Sequence, residues 1–538
     1  LTLEEHQHII NMADGDEPIY NVKDKVPTGT IALTILQHFF VLAVYMTYPV
    51  IISNSIGGSA DLTAFFISAT LIGSGIATIL QSFQKTGAGY ILPTAPNSSY
   101  LPASLLAASA GGLPMLYGML IISGFLEMIL SRFTKFFRIV FPNEVTGVVL
   151  FLLGIAIIPF AFPLFFGSTG GSPLDPASTL VGIITLGSTI ILSVIPKRVF
   201  KFYAILMGIG IGMITSVVLG VFTLDTLFEV TTLPFFSIPN PIGIVSYNFD
   251  IALLIPFAIA MLCVLIKTVG NIGLQNSYTK GGEVNTLRKG LFTEGAGIAI
   301  TGAIGGAGIG SSSSCTGLVI GTGIAARKIG LGLGLFLIIC AFLPAIGWMF
   351  YILPKPILGA ALLYSVTFVM ISGIQSISSR MLDPRRTFVV ILPILIGVSS
   401  AICPYLYTNL PKTLELFFAS PLTSGSIAVL VLGLLFKIGI SKHQAFDFSK
   451  DKNLQKFMFE CGRLWTLNRM QVISLLTNLQ SLTKTGEPVT LTLTNEFEGI
   501  LRVKMVFKEP VGDLTKVSVG AGHLSADGNV VSVSYVLL

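Results

Sequence analysis

Charge is what this sequence has little of. Of its 538 residues only 11% are Asp, Glu, Lys or Arg, and 52% are hydrophobic, where a soluble domain carries about 25% charged residues. A chain so poor in charge cannot clothe a water-soluble surface, which excludes an ordinary soluble enzyme. Cysteine is sparse as well. Cys263, Cys315, Cys340, Cys403 and Cys461 are scattered without metal-ligand spacing, four of them within apolar runs, so neither a disulfide framework nor a zinc site is expected. The sequence shows no phosphate-binding loop and no convincing catalytic triad outside the apolar runs, so no enzyme activity, metal or cofactor is expected. The first 29 residues are polar and acidic, with Glu4, Glu5, Asp14, Asp16 and Glu17 but no basic stretch and no small-residue cleavage site. They read as a cytoplasmic segment and not as a cleaved signal peptide.

What is present in abundance is long apolar runs. Ile31 to Ser53, Val145 to Phe162 and Leu331 to Phe350 are examples, each long enough to cross a hydrocarbon core roughly 30 Å thick. Fourteen spans are expected, at 30–53, 62–80, 88–110, 113–131, 143–162, 178–196, 200–222, 251–272, 291–307, 309–326, 331–353, 356–376, 386–403 and 417–440. The 56 glycines suit close helix packing in lipid. The net charge of +6 could suggest nucleic-acid binding, but its placement argues against it: fifteen basic residues lie in or beside the loops after even-numbered spans, and only Lys355 and Lys412 in those after odd-numbered spans. Because cytoplasmic loops carry the excess of Lys and Arg, both termini are expected in the cytoplasm.

An even number of spans divides into two halves of seven, 30–222 and 251–440, joined by an extracytoplasmic linker at 223–250. Seven is odd, so the second half enters the membrane inverted, the pattern of an inverted-repeat transporter with its site near the midplane. The third span of each half is irregular. Gly87 to Ala110 holds Pro93, Pro96 and Pro102 around Asn97-Ser98-Ser99-Tyr100, and Gly305 to Gly323 holds Ser311 to Ser314 and seven glycines. Both are expected to be broken helices, tolerated at membrane depth only where freed backbone groups line a cavity or meet a ligand.

Gln37-His38, Val264 to Gly270, Ser311 to Gly330 and Ile374 to Val390 resemble the nucleobase/ascorbate transporter family over about residues 25–440. Gly317, Thr322 and Gly323 match its signature of amide, any residue, glycine, four residues, threonine, then a basic residue or glycine. The resemblance implies fourteen spans as two inverted seven-span repeats, a core domain sliding against a gate domain in an elevator-like cycle, and proton- or sodium-coupled uptake of uracil, xanthine or urate. It also implies a homodimer in a bacterial inner membrane. Three positions depart from the family. Ser314 and Cys315 replace the signature's glutamate or glutamine and asparagine, and Lys267 stands where many members have a substrate-binding glutamate. A bacterial branch of the family carries the same lysine.

Lys267 follows sixteen apolar residues, and an ionisable residue at such depth marks a functional site by default. Either it faces the cavity or it snorkels to the cytoplasmic interface. Cys263, Lys267 and Asn271 are spaced to share one helix face. Tyr100 matches the family position where an aromatic stacks near the base, against the alternative of an interfacial belt tyrosine. Ser313, Ser314, Cys315 and Thr316 sit where span 10 restarts, so a positive helix end points into the cavity, against a plain helix-packing role. Glu294 corresponds to an acidic family position and is a candidate for proton coupling or for pairing with Lys267. His38 is the histidine deep in a span, suited to packing or to proton relay.

From Ser441 the composition turns polar. A helix at Asn453 to Leu482 and strands at Val489 to Thr494, Leu501 to Phe507, Lys516 to Val519 and Val530 to Leu537 are expected to form a small cytoplasmic α+β domain over 441–538. The overall expectation is an all-α polytopic membrane protein with this appendage. Three functions compete: a nucleobase transporter, an anion transporter or channel of the same architecture for sulfate, bicarbonate or a small carboxylate, and a receptor that signals through 441–538. A cationic Lys267 facing two helix N-termini is the feature that favours the second.

Overall fold

In the computed structural model the described residues are 18–133, 143–168, 174–195, 198–223, 236–239, 245–279, 284–378, 384–407, 418, 420–436, 443–449, 453–465, 469–483, 488–496, 500–508, 523–527 and 530–536. The expected strand at Lys516 to Val519, the N-terminal 17 residues and most of the 223–250 linker lie outside them. The apolar runs are helices. In chain order they are α1 Thr28–Ala43, α2 Thr47–Ser55, α3 Ala60–Ser82, α4 Leu101–Leu130, α5 Asn143–Phe165, α6 Pro176–Val194, α7 Arg198–Val218, α8 Leu254–Tyr278, α9 Val284–Ala303, α10 Ser313–Thr322, α11 Lys328–Ala341, α12 Pro344–Tyr351, α13 Lys355–Ser378, α14 Pro384–Ile402 and α15 Pro421–Leu435. Among the described residues eight helices are long and apolar enough to span a membrane, and α11 with α12, bent by 80°, makes a ninth.

Several spans depart from straight helices where the sequence removes helix-forming capacity. Span 1 is interrupted by a 3₁₀ turn at Val44–Met46 between α1 and α2. Expected spans 3 and 4 share the continuous helical stretch α4, broken at Gly111-Gly112, where Gly112 has φ 70° and ψ −165°. That conformation is open to glycine and closed to most side chains. Before α4, Pro93 and Pro96 lack the amide that a helix needs, and the chain instead forms strand β1, Thr94–Pro96. Strand β2, Ile309–Ser311, precedes α10. The two pair antiparallel, Thr94 with Ser311, Ala95 with Gly310 and Pro96 with Ile309.

The helices around these strands meet at glycines. Where α4 and α9 cross, an added Cβ on Gly124 would lie 2.5 Å from the Gly295 carbonyl oxygen, and one on Gly295 would lie 2.7 Å from that of Gly124. Backbone approach of this kind is how helices associate in lipid, where apolar burial gives no advantage.

By internal contact the chain divides into two compact units. One comprises 1–134, 150–371 and 397–424, and includes β1, β2, α8 to α10 and the polar cluster described below. The other comprises 135–149, 372–396 and 425–538. In the second, Arg386 lies 3.7 Å from Glu144, both largely buried. Its C-terminal part is a five-stranded antiparallel sheet in the order β3-β4-β5-β7-β6, with β3 His443–Asp447, β4 Pro488–Glu496, β5 Ile500–Phe507, β6 His523–Asp527 and β7 Val530–Val536. Leu501, Val503, Met505 and Phe507 are buried while Arg502 and Lys504 are exposed, the period-two pattern of a sheet with one covered face.

The helix expected at Asn453 to Leu482 is two helices, α16 Leu454–Leu464 and α17 Arg469–Thr483. A single helix of thirty residues would be about 45 Å long and would overrun the sheet. Two shorter ones place Met458, Cys461, Val472, Leu475 and Leu479 in one core with Trp465 between them. Burial there, with a smaller contribution from Glu460, pushes the Cys461 thiol up to about 12, leaving it an inert core residue. The edge strands β3 and β6 escaped the sequence reading because each is five residues long and largely polar, as edges usually are.

Candidate functional site

The polar centre is built where the two broken spans meet. At β1 and β2 the backbone groups that a continuous helix would satisfy are satisfied across the break: Ser312 N–H donates to the Pro93 carbonyl (2.9 Å) and Asn97 N–H to that of Gly308 (2.9 Å). This answers the requirement that no backbone donor or acceptor be left bare at membrane depth. Asn97 then turns the chain toward α4, its Oδ1 accepting from Ser99 N–H at 3.0 Å, and Ser312 caps α10 by accepting from Cys315 N–H at 3.3 Å. Two helices therefore start beside the paired strands, each presenting its positive end there.

Lys267, on α8, reaches into the first break. Its Nζ donates to Asn97 Oδ1 (3.3 Å) and Ser98 Oγ (3.4 Å). Both contacts are at the long end of hydrogen bonding, so a stronger acceptor placed there would displace them. One turn of α8 further on, Asn271 Nδ2 donates to Ser311 Oγ (2.9 Å). Ser311 and Thr268 hydroxyls are 2.5 Å apart, and Thr268 O–H donates to Glu294 Oε1 (2.6 Å), which also accepts from Ser311 N–H (2.7 Å). Since Thr268 has one proton and gives it to Glu294, Ser311 must donate to Thr268. The chain runs in one direction, Asn271 to Ser311 to Thr268 to Glu294, and such chains strengthen their own members. Lys267 and Glu294 are each bonded to other groups and not to one another, so the pairing expected as one option is not the arrangement found.

The remaining expected residues divide. Ser313 and Ser314 are exposed at the start of α10, and Ser314 Oγ lies 2.9 Å from the Tyr45 hydroxyl in the 3₁₀ turn of span 1. Thr316 is buried against Gln275 of α8 (3.4 Å), which also donates to the Ile91 carbonyl (2.6 Å). Cys315 turns the other way, into an apolar cluster with Leu42, Met46, Leu71 and Leu333. Tyr100 is buried with its hydroxyl 2.7 Å from Ser123 Oγ and its ring 6.2 Å from that of Phe257. His38 is buried and bonded through Nδ1 to the Thr34 carbonyl of its own helix (2.8 Å), a bond in which the ring must donate. Asn97, Ser98, Thr268, Ser311 and Glu127 were not anticipated as site residues. For Glu127 a signal existed, a carboxylate inside an apolar span. The others are hydroxyls and amides, too common in membrane helices to stand out.

Cys315 and Ser314 are thus predicted to behave differently. Ser314→Glu, at an exposed position, should leave protein abundance in the membrane near normal and change what the polar centre binds. Cys315→Asn buries an amide in an apolar cluster at about 1–3 kcal/mol, and should show first as reduced abundance on a membrane immunoblot.

Apolar helices of span length and a polar centre made from two antiparallel breaks define a multi-pass membrane protein. The sequence profile of the permease family matches residues 29–406, and the chain belongs to that family, the nucleobase/ascorbate transporters. It is 28% identical over 427 residues to a Clostridium perfringens protein provisionally named a purine permease, covering 78% of this chain and 93% of that protein. It is 24% identical to the uric acid permease PucJ of Bacillus subtilis, with 75% and 92% covered, and 24% identical to the xanthine permease XanQ of Escherichia coli, with 79% and 95% covered. Among solved structures, SLC26A9 shares the fold with a TM-score of 0.51 at 12% identity, covering 79% of this chain and 68% of that one.

Proposed function

We propose that this protein is a secondary transporter of purine-type nucleobases such as xanthine or urate, driven by a proton or sodium gradient. The observation that carries the reading is Lys267 held at the start of a broken span, beside a second broken span, by two displaceable contacts. Lysine only donates hydrogen bonds. It and two positive helix ends select a ligand rich in carbonyls or carrying negative charge, as oxidised purines do, over one that must be met by an acceptor. The purine, uric acid and xanthine permeases among its relatives support the same class. Asn271, Ser313, Ser314 and Thr316 surround the place where the base binds, and Tyr100 backs it.

Around this site the proposed architecture is fourteen spans in two inverted seven-span repeats, moving as core and gate in an elevator-like cycle, in a homodimer of the bacterial inner membrane. Both termini are cytoplasmic in this proposal. Reporter fusions after Lys442 and within 223–250 are expected to report opposite sides of the membrane, and finding them on one side would overturn the topology.

Uptake into proteoliposomes, compared for xanthine, urate, uracil and sulfate, tests the function. Xanthine or urate is expected to be taken up and to compete with the other. A second reading, an anion transporter, is favoured by the same Lys267 cation, and uptake of sulfate alone would establish it instead.

A further inference from the structure

Glu127 is a buried charged group for which substrate binding has no use. It lies within α4 and is fully buried, and no N–H group or hydroxyl among the described residues donates to either of its carboxyl oxygens. Nor does one donate to Glu294 Oε2. The two residues meet because α4 and α9 cross at Gly124 and Gly295, so closely that an added Cβ on Gly295 would lie 3.0 Å from Glu127 Cβ. No side chain fits between them, and the Glu127 carboxyl interacts directly with that of Glu294. Two adjacent carboxylates with three of their four oxygens undonated are not tolerated as two negative charges in an apolar interior.

We infer that Glu127 and Glu294 form a carboxyl pair that takes up and releases the transported proton. This rests on the transport reading above and adds the residue that completes the ion site. The titratable or charged groups on the surrounding elements are Lys267 and Cys263 of α8, Tyr100 before α4 and Tyr48 of α2. Asp61 in the first turn of α3, Tyr117 within α4, Arg132 after it, Tyr278 at the end of α8, and Arg288 and Lys289 in the first turns of α9 are the others among the described residues.

Charge balance gives the pair its task. With Lys267 charged and one proton on the pair, the cluster is neutral. An anionic base adds one negative charge, and a second proton restores neutrality before the loaded site crosses the low-dielectric interior. That proton comes from water on one side, forms an O–H bond on the remaining carboxylate, and leaves by breaking the same bond on the other side. The link to the base runs through Glu294, Thr268 and Ser311 to Asn271, so the state of the pair is felt at β2.

The test uses the full chain in proteoliposomes, wild type beside the double variant Glu127→Gln/Glu294→Gln, because either carboxyl left alone can still take up the one coupled proton. In wild type an acid-outside pH gradient should drive xanthine accumulation above equilibration. In the variant that accumulation should be lost while counterflow exchange of xanthine persists. Accumulation by the variant equal to wild type, loss of exchange together with accumulation at normal abundance, or wild-type uptake indifferent to the pH gradient would each overturn the inference. Absence of any nucleobase uptake by wild type removes the transport reading, and the inference with it. Should the variant not reach the membrane, a hydrophobic carbodiimide, which adds to protonated carboxyls, is applied to wild type. A peptide adduct at Glu127 or Glu294 that fades as pH rises is expected, and its absence at every pH overturns the assignment.

Discussion

Replacing Lys267 by Gln is expected to lower xanthine and urate uptake on the order of 10- to 100-fold, with membrane abundance unchanged. Hydrogen bonds to a charged donor contribute about 1.5–3 kcal/mol, and each 1.4 kcal/mol is about tenfold in an equilibrium constant. Glutamine is one bond shorter than lysine, so the contacts to Asn97 and Ser98, already 3.3 and 3.4 Å, are lengthened, and it lacks the charge that would select a carbonyl-rich or anionic base. The loss should therefore appear in the apparent affinity and should be smaller for uracil, which ionises less readily. Uptake of xanthine, urate and uracil by both proteins across pH measures this. Equal transport of all three by both would remove Lys267 from the site.

Gly310→Val should be nearly as damaging, for a steric reason. Gly310 sits in β2 opposite Ala95, and an added Cβ there would fall 2.6 Å from Asn97 Nδ2 and 2.7 Å from Val264 Cγ1. The strand pair must part or Asn97 must leave Lys267. Overpacking of this kind costs about 1–3 kcal/mol, on the order of 5- to 150-fold in an equilibrium. Because Asn97 is both the turn residue before α4 and a ligand of Lys267, the cost should fall on substrate affinity more than on folding. Binding of xanthine to purified protein, read beside the thermal unfolding midpoint, separates the two. A variant that unfolds earlier but binds normally would show that the strands serve only as structure.

The breaks at the centre were legible because they are written in local chemistry. Pro93 and Pro96 cannot donate and Gly305 to Gly310 resist helix, so irregularity at both places follows from the residues alone. Lys267 was equally visible, an ammonium after sixteen apolar residues. Its orientation was not, since one lysine can reach either a cavity or a membrane surface. Cys315 shows the complementary failure. It neighbours Ser314 in the chain, but successive residues of a helix point about 100° apart, and only the packing of α10 against the helices around Leu42 and Leu333 decides which of them faces the polar centre. Glu127 was passed over because its meaning depends on a partner 167 positions away.

What the sequence determined by itself is therefore what depends on composition and short-range backbone chemistry. It set membership of the membrane, the helical runs, the two places where helix fails, and the family signature at Gly317, Thr322 and Gly323. Tertiary structure alone decided that the two failures pair as antiparallel strands, that Thr268 and Ser311 relay between Asn271 and Glu294, and that Tyr100 spends its hydroxyl on Ser123. Apolar transfer energy is additive along the chain and can be read residue by residue. Hydrogen bonds and charge pairs depend on distance and direction between groups remote in sequence, and those are fixed only when the helices have packed.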